Sequence, residues 1–172
     1  SHFVLGVRAF DIFDKRRYAA QVLADVLGGG MSSRLFHKVR EELGAAYYVR
    51  AEADFSLDHG NISVSAGVGH MKIKEVLKAV MAEMERLKKE PVGEAELQKS
   101  KDHLIGNFIL GLETSDKLAN FYGGSEILTK KLIKPQEVIK KVRAVKAGEI
   151  MAVARDFFRN ERLNLALIGP YR

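Results

Sequence analysis

The stretch Tyr47-Tyr-Val-Arg-Ala-Glu-Ala-Asp-Phe55, followed by Ser56-Leu-Asp-His-Gly-Asn61 and then Ile62-Ser-Val-Ser-Ala-Gly-Val68, decides the fold. Tyr47, Val49, Ala51, Ala53 and Phe55 alternate with Tyr48, Arg50, Glu52, Asp54 and Ser56. Successive side chains of an extended chain point to opposite faces, so a period of two means one buried face and one wet face. Asp58-His59-Gly60-Asn61 supplies turn residues, after which Ile62, Val64, Ala66 and Val68 resume the alternation against small polar residues. The pattern predicts an antiparallel β-hairpin with Tyr47 on its apolar side.

Working outward, residues 3–10 are apolar-rich and read as a first strand, and 163–168 read as a closing strand ended by Gly169-Pro170. Between the first strand and the hairpin, Ala19, Ala20, Val22, Leu23, Val26 and Leu27 recur at helical spacing, and Gly28-Gly29-Gly30 ends that helix. Ser32 or Ser33 is placed to cap a second helix carrying Leu35, Phe36, Val39 and Leu43, stopped by Gly44. After the hairpin comes a long amphipathic helix over 73–87. Another starts near Glu94 with Leu97, Leu104, Ile105, Phe108, Ile109 and Leu112 facing inward, and Ser115 is placed to cap the next. Pro135 suits the first turn of a helix bearing Val138, Ile139 and Val142, and Ile150, Val153, Ala154 and Phe157 mark a last one. Helices cluster and the strands are antiparallel. That order predicts an α+β two-layer sandwich with helices packed on one face of the sheet.

The chain has 172 residues, 47% hydrophobic and 29% charged, with only 3 prolines. That composition excludes a disordered tail and a collagen-like repeat, and a domain of this size buries about 70% of its extended surface. No apolar run approaches the roughly 18 residues of a membrane-spanning helix. The sequence begins Ser1-His2-Phe3-Val4, directly in a strand, with Ser1 and His2 resembling tag remnants. Residues 1–172 read as a single domain excised from a longer polypeptide.

The chemistry visible in the residues is sparse. There are no cysteines, hence no disulfide and no thiolate ligand or nucleophile. The 5 histidines include no pair at HExxH or HxxEH spacing, which would set two imidazoles on one helix face, so no complete zinc site is expected in this chain. A GxSxG elbow is missing, and Gly28-Gly29-Gly30 follows a helix instead of a strand, which argues against a phosphate loop. The net charge is +6. Residues 130–146 alone hold Lys130, Lys131, Lys134, Lys140, Lys141, Arg143 and Lys146 against the single Glu137. With Val138, Ile139 and Val142 burying the other side and no aromatic residue interleaved, this reads as a solvated helix face, ahead of an acidic-partner dock or a nucleic-acid site. Neither nucleic acid nor membrane is expected as a partner.

Arg40 and Tyr47 stand out as a pair. Arg40 lies at the edge of the second helix's apolar stripe, and Tyr47 opens the hairpin just beyond Gly44-Ala45-Ala46. A tight helix-to-strand turn brings a guanidinium and a phenol to the same end of the sheet. On residue grounds alone, both are ordinary packing residues.

The block Leu27-Gly-Gly-Gly-Met-Ser-Ser-Arg-Leu-Phe36, joined to Val39-Arg-Glu-Glu-Leu-Gly-Ala-Ala-Tyr-Tyr-Val49, closely resembles the pitrilysin/insulinase-like zinc peptidases, the inverzincins that include the mitochondrial processing peptidase. The likeness extends from the residue-3 strand to Leu167-Ile-Gly-Pro170 and points to the C-terminal, non-zinc domain of a peptidase half. In that family two halves close around a chamber, and zinc is held by HxxEH and a downstream glutamate in an N-terminal domain. The opposite half supplies an arginine and a tyrosine that grip the peptide and polarise its scissile carbonyl. The resemblance places these substrate-binding roles on Arg40 and Tyr47, and it implies zinc as cofactor of the parent enzyme, held elsewhere. It also implies an N-terminal zinc-bearing domain or subunit as partner, a peptide as substrate, and no activity for the chain alone. Ala45 stands where relatives often carry leucine and Tyr48 where a small residue is common; the short glycine segment argues against a receptor-type non-catalytic subunit. The alternatives are a scaffold subunit that has lost catalysis and a basic anion-binding module. The compartment stays open, cytoplasmic or periplasmic for a bacterial source.

Overall fold

The computed structural model describes residues 1–170. Four antiparallel strands, β1 (His2–Ala9), β2 (Ala46–Phe55), β3 (Gly60–Val68) and β4 (Asn164–Ile168), form one sheet in the order β2-β3-β1-β4. The register aligns the apolar positions across strands. Phe3, Ala66 and Val49 form one row, Leu5, Val64 and Ala51 the next, and Val7, Ile62 and Ala53 the third. All but Ala53 are buried. Such cross-strand rows are what hold a sheet to its covering layer.

The helices supply that layer. α1 (Arg17–Gly28) lies along β2 with Val22, Leu23, Val26 and Leu27 buried. α2 (Ile73–Lys89) sends Val76, Val80, Met84 and Leu87 inward, and α6 (Ala147–Phe157) packs against both α1 and α2 through Ile150, Val153, Ala154 and Phe157. α3 (Glu94–Leu110) sits on α1, and α5 (Pro135–Ala144) on α1 and α3. Helices cover one face and the other stays open, so the expected α+β two-layer sandwich is the observed fold. Among the described residues no helix is long and apolar enough to cross a membrane.

Two glycines have positional reasons. A Cβ on Gly28 would stand 2.5 Å from the Ala51 backbone nitrogen, so a bare Cα is what lets α1 approach β2. Gly44 has φ +53° with open space around it, so its requirement is conformational.

Several local expectations differ from the structure. Residues Phe36–Glu42 form wide turns with i→i+5 bonds, the Leu43 N–H donating to the Lys38 carbonyl at 3.2 Å, in place of a regular second helix. Ser33 does not cap it; its hydroxyl donates to the Gly30 carbonyl at 2.6 Å. Thr114, not Ser115, holds the cap position of α4 (Ser115–Thr129). The end of α3 does not turn inward as its apolar spacing suggested: Ile109 is 52% exposed, Phe108 and Leu112 are only half-buried, and α4 buries no residue.

The two glycines should fail differently. Gly28→Ala, which forces α1 away from β2, should cost about 1–3 kcal/mol. Gly44→Ala, which strains only the backbone, should cost about 1 kcal/mol. Urea unfolding with unchanged slope measures both; a Gly28→Ala protein as stable as wild type would mean that the α1–β2 approach is not tight.

Candidate functional site

The segment after α1 is pinned from below. Leu35 and Val39 are fully buried, which turns Arg40 outward. The Arg40 guanidinium carbon lies 5.1 Å from the centre of the Phe36 ring, a cation–π contact that limits the side chain's sweep. Its neighbours are paired, His37 with Glu41 and Lys38 with Glu42. Arg40 itself has no ion-pair partner among the described residues.

The chain then enters β2 over a short turn. The Ala45 N–H donates to the Val39 carbonyl at 3.0 Å, and Gly44 supplies the left-handed residue between them. The β2 register next slips: Ala46 faces Val68, but Tyr48 faces Gly67, leaving Tyr47 as the extra residue of a β-bulge. Strict alternation put Tyr47 on the apolar face. The bulge breaks that alternation, and Tyr47 is 89% exposed. Tyr48 is held instead. Its ring crosses Gly67, where a Cβ would sit 2.6 Å from Tyr48 Cε1, and its hydroxyl bonds His2 Nδ1 at 3.2 Å. Of the two phenols, Tyr47 is therefore the one free to donate to a bound group, and it shares the Gly44 end of β2 with Arg40.

Beneath this segment lies a clamp that no local sequence signal announces. Arg34 Nε and Nη2 donate to the two carboxylate oxygens of Glu96 at 2.7 and 2.9 Å. Its Nη1 is buried without a hydrogen bond, 3.8 Å from Glu83 on α2. The planar guanidinium matches a carboxylate two-to-two, so Arg34 ties the start of the Arg40 segment to α3. Sixty-two positions separate Arg34 from Glu96, beyond any periodicity.

A second polar pair sits in the helical layer. Asp25, an acid inside the apolar stripe of α1, accepts a hydrogen bond from His103 Nδ1 at 2.7 Å, and Asn107 Nδ2 donates to His103 Nε2 at 3.0 Å. They line an open cavity of about 320 Å³ that also touches Gln21, Glu52 and Asp54. Burial raises the Asp25 pKa above the ordinary carboxyl value, with the His103 and Ser100 hydrogen bonds acting against it. Asp25 was missed in the sequence; an acid between Ala24 and Val26 is the one local signal for it, and nothing local signals its histidine partner.

The remaining histidines are engaged elsewhere: His2 bonds Tyr48, His37 pairs with Glu41, His59 with Asp58, and His70 Nδ1 lies 3.3 Å from the Ser1 hydroxyl. Among the described residues no group of three or more His, Asp or Glu side chains could hold a metal ion. These residues do not fit a zinc site.

A sequence profile described as the peptidase M16 inactive domain matches residues 1–104, which contain the whole Arg34–Tyr48 region. The chain belongs to the peptidase M16 family. An uncharacterized zinc protease of Streptomyces coelicolor is 34% identical over 172 residues, covering 100% of this chain and 37% of that protein. The uncharacterized zinc protease YmxG of Bacillus subtilis is 32% identical over 170 residues, covering 99% of this chain and 41% of its own length. The M16 domain described here thus spans about two fifths of those relatives, and corresponds to their C-terminal domain. Solved structures share the fold. A protease from Helicobacter pylori superposes with TM-score 0.85 at 23% identity, over 95% of this chain and 39% of its own. An inactive peptidase domain from Bordetella parapertussis superposes with TM-score 0.83 at 16% identity, over 99% and 93%.

The Asp25 shift has a defined sign. A carboxyl whose folded pKa lies above its unfolded value binds protons better in the folded state, so its contribution to stability falls as pH rises between the two values. Relative to Asp25→Asn, wild-type stability should therefore decline from about pH 4 upward. Denaturation midpoints of both proteins across that range measure it; parallel curves would remove the burial effect.

Proposed function

We propose that this M16 domain is the substrate-gripping half of a zinc peptidase, in which Arg40 orients the peptide carbonyl and Tyr47 donates to the oxyanion that forms on it. The observation that carries this reading is the bulge at Tyr47. It frees the phenol at the same end of β2 where Val39 turns Arg40 outward, while Tyr48 stays occupied by His2. The seven-residue offset between Arg40 and Tyr47 agrees with the family's arginine–tyrosine pair. A guanidinium presents two parallel donors to a carbonyl or its neighbour without ever losing its charge. A neutral phenol on a fixed strand donates one hydrogen bond where negative charge develops, and needs no reorganisation at the moment of reaction.

The same reading assigns zinc, the activated water and general-base chemistry to an upstream domain or a partner subunit of the parent enzyme, with a peptide as substrate. The names of the relatives, zinc proteases about two and a half times as long as this chain, support that division. The domain on its own should hydrolyse no peptide.

The test uses the full-length enzyme. Tyr47→Phe should lower kcat by about 100-fold or more, the scale of losing one oxyanion donor, and Arg40→Ala by a comparable factor in kcat/KM. Zinc content should be unchanged in both, because neither residue belongs to the metal. Tyr48→Phe should keep most of the activity. Wild-type kcat/KM in both Arg40→Ala and Tyr47→Phe would assign the domain a scaffold role instead.

A further inference from the structure

At the far end of β2 from Tyr47 the helical layer opens into a groove. Two cavities of about 430 and 420 Å³ share Arg17, Tyr18, Thr129 and Ile133, so they form one trough between the start of α1 and the 129–133 turn. Its halves differ in chemistry. The first is ringed by Lys15, Arg17, Lys131 and Lys141. The second is walled mainly by Phe55, Phe121, Leu128, Ile133 and Val138, with Asp54 as its one carboxylate.

The cations there outnumber the acids. Asp14 is paired with Arg16 at 2.7 Å, and Glu149, which accepts the Lys146 backbone N–H at 2.8 Å, is the one other carboxylate of the first half. Among the described residues none of Lys15, Arg17, Lys131 and Lys141 has an ion-pair partner, and Arg17 donates only to the Tyr18 hydroxyl at 2.8 Å. One wall is also strained. Lys130, at φ +53° and ψ +32°, is the one non-glycine residue with positive φ among those described. The Thr129 hydroxyl, bonded to the Ser125 carbonyl at 2.6 Å and the Lys131 carbonyl at 3.3 Å, holds that turn with Thr129 and Lys131 lining the trough. Strain of this kind persists where surrounding structure over-determines it, and it clusters at binding sites. α4, which lines the second half, buries none of its own residues, so Phe121 and Leu128 keep apolar surface for something else.

We propose that this trough binds an extended peptide segment bearing carboxylates beside bulky apolar side chains, a docking surface separate from Arg40 and Tyr47. Charge complementarity chooses the occupant. A nucleic acid would run evenly spaced phosphates across the apolar half, and a bilayer is flat where the trough is concave. A peptide can put acids in one half and leucine or phenylalanine in the other. The same asymmetry gives Lys131 and Lys141, two of the basic residues concentrated in 130–146, a use beyond solubility.

The test titrates the 172-residue chain with a fluorescent peptide of consecutive glutamates followed by Leu-Phe-Leu, at low salt. Saturable binding is expected, with Lys131→Glu/Lys141→Glu raising Kd by about tenfold or more. Lys78→Glu/Lys89→Glu, the same charge change on α2, should stay within about twofold. Leu128→Ala, at a side chain exposed on a helix that buries none of its residues, should weaken the peptide while leaving the melting temperature in place. The proposal is overturned by absence of saturable binding, by equal binding of a peptide with lysines in place of the glutamates, or by equal sensitivity to both charge reversals. A single-stranded oligonucleotide or a fatty acid that binds as tightly at the same residues would also overturn it. None of these outcomes bears on turnover by Arg40 and Tyr47, so the two readings fail separately.

Discussion

Gly44 adopts a left-handed conformation that side-chain-bearing residues rarely take, and the β2 edge of the molecule depends on it. The chain must leave the wide turns of Phe36–Glu42 and enter an edge strand within a few residues. A right-handed residue there would carry the chain onward past the sheet. With the reversal in place, Val39 can be driven into the core while the Ala45 N–H returns to its carbonyl, and Arg40 necessarily faces out. The wide i→i+5 turns fit the same demand. They let Leu35 and Val39 both reach the core although the segment is too short to lie along the sheet as a helix.

That reversal would be loose if its upstream end were free, and Arg34 is what holds it. A two-to-two bond to Glu96 links it to α3, and Glu83 on α2 lies behind. Burying such a group is costly unless its charge is matched, so the clamp acts less as a source of stability than as a device for fixing one arrangement. The Arg34 Nη1 makes no hydrogen bond to another described residue and has the Glu83 carboxylate 3.8 Å away as its ion-pair partner.

The sheet was readable because period-two alternation and burial are one physical fact. Once Val49 and Ala51 on β2 and Ile62, Val64 and Ala66 on β3 alternate, the register that buries them all is nearly forced. The bulge was not readable. It costs one residue of alternation at a strand's first positions, and Tyr47-Tyr48 is equally aromatic on either parity, so the sequence carries no mark of which phenol is extruded. Helix content was legible, but the partners of α3 and α4 were not: apolar spacing at Ile105, Phe108, Ile109 and Leu112 promises a buried stripe without saying what covers it. The pairing of Arg40 and Tyr47 was legible from their placement about the turn but their roles only from a resemblance, whereas the Arg34–Glu96 clamp depends on the tertiary fold that brings α3 over the turn. Asp25 went unremarked although it is an acid among apolar neighbours, and only the folded chain supplies His103.

β2 has two working ends on these readings, and physics keeps them apart. Six residues of strand separate Tyr47 from Ala53, about 20 Å at roughly 3.3 Å per residue. Screening in physiological salt sets in over about 8–10 Å. The lysines around the trough therefore cannot tune the Arg40 guanidinium or the Tyr47 phenol through the field, and charge placed in one region is felt weakly in the other. What joins them is mechanical. α1 lies along β2 with Gly28 against Ala51, and it presents Arg17 and Tyr18 to the trough while its far end feeds the Arg34 segment. A helix in that close contact moves with the strand or not at all, because a gap between Gly28 and Ala51 would forfeit the burial that defines the core. The domain thus presents a rigid bar with a donor pair at one end and a charged trough at the other, and any communication between them must pass through displacement of α1.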